Sequence, residues 1–83
     1  MEKEEVIKNI NTRLKRIEGQ VTGIEKMFND GACCRDMLVQ IAAVRAALNR
    51  VGSIILQNYA KSCVIKNEDS IEELIKTLDM FLK

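Results

Sequence analysis

The 83-residue chain contains no histidine, no proline and no tryptophan, and its only aromatic residues are Phe28, Tyr59 and Phe81. Each absence excludes something. Without histidine there is no imidazole to serve as a general base or to ligate a metal. Without proline the strongest helix breaker is missing. So few aromatics, and no run of β-branched residues, leave little from which to build a sheet. Net charge is only +1, so any nucleic-acid surface has to be a local patch. Unbroken apolar runs last only a few residues, well short of a membrane span, and the N-terminal "MEKEEVIK" lacks the apolar core of a signal peptide. The expectation is one small cytoplasmic domain, residues 1–83, with no membrane partner. A chain this short struggles to bury enough apolar surface alone, and often needs a partner chain.

What is present is helical periodicity. Val6, Ile10, Leu14, Ile17, Val21, Ile24 and Phe28 follow spacings of 4, 4, 3, 4, 3 and 4, one apolar stripe from about residue 4 to 29. "NDG" at 29–31 supplies a stop, with Gly31 suited to a left-handed C-terminal position. Gly19 and Gly23 lie inside this helix and suggest close approach of another helix. A second helix is expected from about Cys33 to Ile65, with Gly52 as its only interior weak point. Leu38, Ile41, Leu48 and Ile55 mark one side of it, and Ala42, Ala43, Ala46, Ala47, Gly52 and Ser53 offer small surfaces for a neighbour. After a polar loop, "KNED", Ser70 and Glu73 match a capping box ahead of a short amphipathic helix carrying Ile71, Leu74, Ile75, Leu78, Phe81 and Leu82. The fold class is therefore all-α: a three-helix protomer, too small to cover both apolar faces, in a helical oligomer.

Three cysteines in a reducing compartment are more often free, metal-binding or redox-active than structural, and an odd count argues against a fully paired framework. Cys34 and Cys63 lie on the same expected helix, 29 residues apart. That is roughly 43 Å at 1.5 Å per residue, whereas a disulfide needs Cα atoms within about 7 Å. They cannot meet inside one straight helix, but they can if two copies of the helix pack antiparallel, with a two-fold axis near Leu48 and Asn49. Such isologous dimers are the commonest oligomers. Cys34 also sits at the expected helix start beside Arg35, where the dipole and a cation favour the thiolate. Cys33, about 100° around the helix, faces elsewhere and is a candidate additional thiol only. A lone buried cysteine is more often a small hydrophobe than a reactive group.

"RLKRIEGQVTGIEKM", then "CRDMLVQIAAVRAALNRV", then "NYAKSCV", closely resemble the CsoR/RcnR family of bacterial transcriptional repressors, over about residues 10 to 78. The resemblance implies a dimer built on antiparallel second helices, a dimer of dimers, and operator DNA as partner, released when an inducer occupies the cysteine site. Copper-sensing members use a cysteine, then a histidine four residues before a second cysteine. Cys34 matches the first and Cys63 the last, but Tyr59 stands where the histidine would be, and a phenol is a poor soft-metal ligand. Keeping both cysteines without that histidine is similar to the CstR branch. The implied inducer is then sulfane sulfur, a persulfide or polysulfide that cross-links Cys34 to Cys63 of a neighbouring protomer, with no cofactor required. The alternative is Cu(I) held by the same two thiolates. The nickel, cobalt and formaldehyde branches use histidines that this chain lacks. In copper-sensing relatives the histidine couples to a glutamate on the third helix, which Glu73 matches, making Tyr59 and Glu73 candidate allosteric residues.

Asn9, Arg13, Arg16 and Gln20 recur at spacings of 4, 3 and 4, a polar stripe opposite part of the apolar seam, with Lys8 and Lys15 flanking it. Arg45 and Arg50 add charge on the second helix. Such stripes are ordinarily solvated faces, but the resemblance links Arg13 and Arg50 to operator binding. Candidate DNA contacts are Arg13, Lys15, Arg16, Gln20, Arg45 and Arg50. Repetition across a tetramer lets a modest patch neutralise many phosphates. A thiol oxidoreductase is disfavoured, since neither "C-x-x-C" nor a histidine partner is present, and a structural adaptor would not need the shared cysteine positions.

Overall fold

The computed structural model describes the backbone of residues 3–66 and 68–82, and the side chains of 3–61 and 71–82. It contains α1 (Lys3–Asn29), α2 (Cys34–Lys66) and α3 (Glu68–Leu82), with no strand among the described residues. The all-α expectation holds. Glu4 and Glu5 in the first turn of α1 and Lys26 in its last complement the helix dipole. Asp36 does the same at the start of α2.

The turn after α1 is a Schellman motif. Gly31 takes φ +76°, its N–H bonds the Phe28 carbonyl at 3.2 Å, and the Ala32 N–H reaches back to the Met27 carbonyl at 2.9 Å. These bonds satisfy carbonyls that the helix end would otherwise strand, and they bring the chain around within residues 30–33. Cys33 then caps α2: its carbonyl accepts the Met37 N–H at 3.2 Å. The helix thus starts one residue later than the pattern suggested.

The third helix starts earlier than expected. The capping-box reading placed its N-cap at Ser70 after a loop over residues 66–69, but α2 continues to Lys66 and α3 begins at Glu68. A helix opening on Glu68 and Asp69 gains the favourable placement of acids in a first turn, which outweighs the cap motif. The side chain of Ser70 lies outside the described residues.

The chain divides into two compact units, Met1–Val51 and Gly52–Lys83. In the first, Ile17, Val44 and Val51 form the core, and Ile10, Leu14, Ile24 and Ala47 pack against it. The α1 part of this seam is the sequence stripe in part: Ile10, Leu14, Ile17 and Ile24 take their places in it, whereas Val21 and Phe28, read as members of the same stripe, stay exposed. In the second unit Phe81 of α3 lies directly on Gly52 of α2, where any Cβ would run into the ring. Gly52 is therefore a seat for α3 rather than a flaw in α2. At Gly19 and Gly23, by contrast, no described residue outside the local backbone of α1 comes within 4 Å of a Cβ built at either, so within one chain no helix makes the close approach read there.

Burial is sparse. Among the described residues only Val6, Ile17, Val44 and Val51 are buried, whereas Leu38, Val39, Ile41, Leu48 and Ile55 of α2 remain 42–57% exposed. The stretch Cys34–Lys61 is long and apolar enough to cross a membrane by length and composition alone. The expectation of short apolar runs counted unbroken runs, and averaging restores the alanines. Arg45 and Arg50 fall within the stretch, and charges at such positions are costly in hydrocarbon.

Replacing Gly31 by alanine should cost about 1–2 kcal/mol, because an L-residue is strained at this φ. Urea denaturation at fixed protein concentration checks it; an unchanged midpoint would show that the turn relaxes into another geometry.

Candidate functional site

Cys34 is the first helical residue of α2 and its side chain is exposed. With Arg35, Leu38, Val39 and Ala42 it lines a shallow open depression. The walls are thus one cation and a set of aliphatic groups, all from a single helix. Cys33 is exposed too, but does not line this depression. Its role in the structure is the cap of α2, which sequence reasoning missed because cysteine is not a customary cap residue. Cys63 falls in the last turn of α2, with its side chain outside the described residues. Among the described residues no group of three or more histidine, cysteine or acidic side chains is placed to hold a metal. Any ligand taken by Cys34 must therefore find its remaining partners elsewhere.

Tyr59 on α2 and Glu73 on α3 belong to the same compact unit, and both side chains are exposed. Tyr59 is 43% exposed and engaged in an interaction of its own.

The basic residues do not form one surface. At 100° per residue Asn9, Arg13, Arg16 and Gln20 share a stripe about 80° from the core line of Ile10, Ile17 and Ile24. It flanks the seam rather than opposing it, which is why Arg13 and Gln20 are half-buried while Arg16 is exposed. Arg13 donates its Nε–H to Asn9 Oδ1 at 2.8 Å. The Oε1 of Gln20 is buried without a hydrogen-bond partner among the described residues. Lys15 lies about 100° from Arg16 and about 160° from Arg13, so it does not flank that stripe. It joins Glu4, Ile7, Lys8, Asn11 and Thr12 around a different open face of α1. Arg45 and Arg50, both exposed, sit five residues and thus about 140° apart on α2, so they face different ways.

Comparison with known proteins places these features in context. Residues 6–80 match the family described as metal-sensitive transcriptional repressors. The chain is 46% identical over 77 residues to the copper-sensing transcriptional repressor CsoR of Bacillus subtilis (strain 168), covering 89% of this chain and 76% of that one. It superposes with TM-score 0.87 and 47% identity on the copper-sensing repressor CsoR with Cu(I) from Geobacillus thermodenitrificans NG80-2, over 100% of this chain and 92% of that chain. It also matches the nickel-responsive transcriptional regulator InrS, with TM-score 0.80 and 35% identity, over 89% of this chain and 90% of that one.

Both thiols at the start of α2 should react in the native, reduced protein. Iodoacetamide followed by intact mass and peptide mapping is expected to modify both Cys33 and Cys34. Failure of either thiol to react would mean that this helix start is closed to solvent in the native protein.

Proposed function

The chain belongs to the family of metal-sensitive transcriptional repressors, and on that premise we propose that it is a cytoplasmic operator-binding repressor released by Cu(I) held between Cys34 and the partner's Cys63. The observation that carries this reading is the 46–47% identity, along nearly the whole chain, to repressors described as copper-sensing. Donor chemistry agrees. Two thiolates are soft ligands suited to Cu(I), which accepts two-coordination. The absence of histidine disfavours nickel or cobalt. When bound, the ion supplies a short bridge between two chains. The protein's own part is to present Cys34 on a fixed helix start, beside Arg35 and the aliphatic side chains of Leu38 and Val39.

The exposed residues of α2 support an antiparallel dimer. Ile41, Leu48 and Ile55 recur every seven residues, all exposed, and are symmetric about Leu48. Pairing Leu48 with the partner's Leu48, and Ile41 with the partner's Ile55, buries this stripe and brings Cys34 beside the partner's Cys63. The two compact units then act as one domain, residues 1–83, in a dimer of dimers. The Arg13–Arg16–Gln20 stripe, with Arg50, supplies the phosphate contacts. The opposed faces of Lys15 and Arg45 give them a lesser part.

A second reading rests on Tyr59, which carries no imidazole one helical turn before Cys63. It makes sulfane sulfur the inducer. The Cys34 thiolate attacks the terminal sulfur of a persulfide, and a thiol leaves. The partner's Cys63 thiolate then attacks the inner sulfur of the new Cys34 persulfide. A disulfide forms, and hydrosulfide leaves with the electron pair of the broken S–S bond. In either reading Tyr59 and Glu73 lie where site occupancy is passed to the fold.

Two experiments test this. A duplex selected by the protein from a random-sequence pool is titrated with protein alone, with one Cu(I) per protomer, and with polysulfide. Loss of affinity of at least about tenfold with Cu(I), absent in Cys34→Ser, supports the first reading. Release by polysulfide alone, with a Cys34–Cys63 linked dimer on mapping, supports the second; no release by either removes both. Separately, Arg13→Ala and Arg50→Ala should each weaken binding and flatten its salt dependence while leaving the oligomer intact. Unchanged affinity in both would put DNA on another face.

A further inference from the structure

We infer that Asn9 is a positioning residue for Arg13, holding its guanidinium ready for a phosphate or a base edge before DNA arrives; this rests on the operator-binding reading above. The observation is the Arg13 Nε–H donated to Asn9 Oδ1 at 2.8 Å across one turn of α1. Arginine carries five N–H donors in a rigid plane. Spending Nε–H on Asn9 closes the side-on Nε/Nη edge and leaves the end-on edge, one N–H from each Nη, free to grip a phosphate or guanine in bidentate fashion. Arg13 is half-buried beside the α1 seam, and the Asn9 bond narrows the orientations open to its guanidinium. The ordering cost of binding is then met before the encounter.

The chemistry of residue 9 fits this role. An amide oxygen accepts the bond without cancelling the positive charge that DNA needs. A carboxylate there would hold the guanidinium as firmly, but would neutralise it and repel phosphate. The i, i+4 spacing from Asn9 to Arg13 keeps both side chains on one face along the length of the contact. By contrast Thr12 and Thr22 turn their hydroxyls back onto the carbonyls of Lys8 and Glu18, at 2.9 and 3.0 Å, and orient no cation.

The test is a double-mutant cycle on the full-length protein, using the duplex it selects from a random-sequence pool, at several salt concentrations. Asn9→Ala should weaken binding about three- to tenfold, the scale of ordering one rotamer-rich side chain. Its salt dependence should match that of the unaltered protein, because no charge is removed. In the Arg13→Ala background Asn9→Ala should have no further effect. Alanine is the better helix former, so helix content by circular dichroism should hold and loss of fold is not the cause of weaker binding. Unchanged affinity in Asn9→Ala, or a loss that adds in full to that of Arg13→Ala, overturns the inference: the first means no positioning, the second that Asn9 touches DNA itself. If Arg13→Ala itself leaves affinity unaltered, the operator-binding reading of this face is what has failed.

Discussion

The constraint on which everything else depends is how much apolar surface one copy of this chain can cover. A folded domain of this size must bury a large share of its apolar groups to offset the entropy of ordering the backbone. Here a single copy buries Val6, Ile17, Val44 and Val51, and leaves Leu38, Ile41, Leu48 and Ile55 well exposed along α2. At about 25 cal/mol per Å² of apolar surface removed from water, covering that stripe is a principal source of stability still open to the chain. The need for a partner is thus a property of the protomer's composition and shape.

On the proposed assembly the same need creates the sensor. Antiparallel pairing about Leu48 buries the exposed stripe and sets the start of one α2 beside the end of the other. A ligand that bridges Cys34 and the partner's Cys63 therefore acts on the contact that holds the dimer together. Its leverage on DNA binding equals its differential affinity for the two arrangements of that contact. The docking of α3 belongs to the same device, since Phe81 sits on Gly52 within the unit that carries Tyr59 and Glu73.

Much of this was legible in the sequence, for definable reasons. The α1 stripe has the helical period over seven apolar residues; Val6, Ile10, Leu14, Ile17 and Ile24 of it are buried or packed against the core, while Val21 and Phe28 stay exposed in the single chain. Gly31 was legible because only a few residue types tolerate positive φ. The start of α3 was misread because the Ser70–Glu73 spacing is a short motif, and the acids at Glu68 and Asp69 carry the helix further back. Cys33 as cap of α2 left no signal in residue type. Charge and spacing pick out the arginines one by one and do not say which of them share a surface. Charge counting ignores angular position, and it is angle that separates Lys15 from Arg13 and Arg45 from Arg50. Asn9 was visible at i, i+4 from Arg13, but whether such a pair bonds depends on packing that periodicity does not describe. The inducer was least legible of all, because two cysteines suit both a soft metal and sulfur exchange.

The central claim is that the effector site is shared between two chains. Complementation measures it directly. Chains carrying Cys34→Ser are mixed with chains carrying Cys63→Ser, and the heterodimer is isolated by differential tags and titrated with Cu(I) against a competing chelator. The account predicts that neither variant binds tightly alone. The heterodimer recovers one tight site per dimer, formed by Cys34 of one chain and the partner's Cys63. A heterodimer as weak as its parents would contradict the account, because binding would then need both thiols of the same chain.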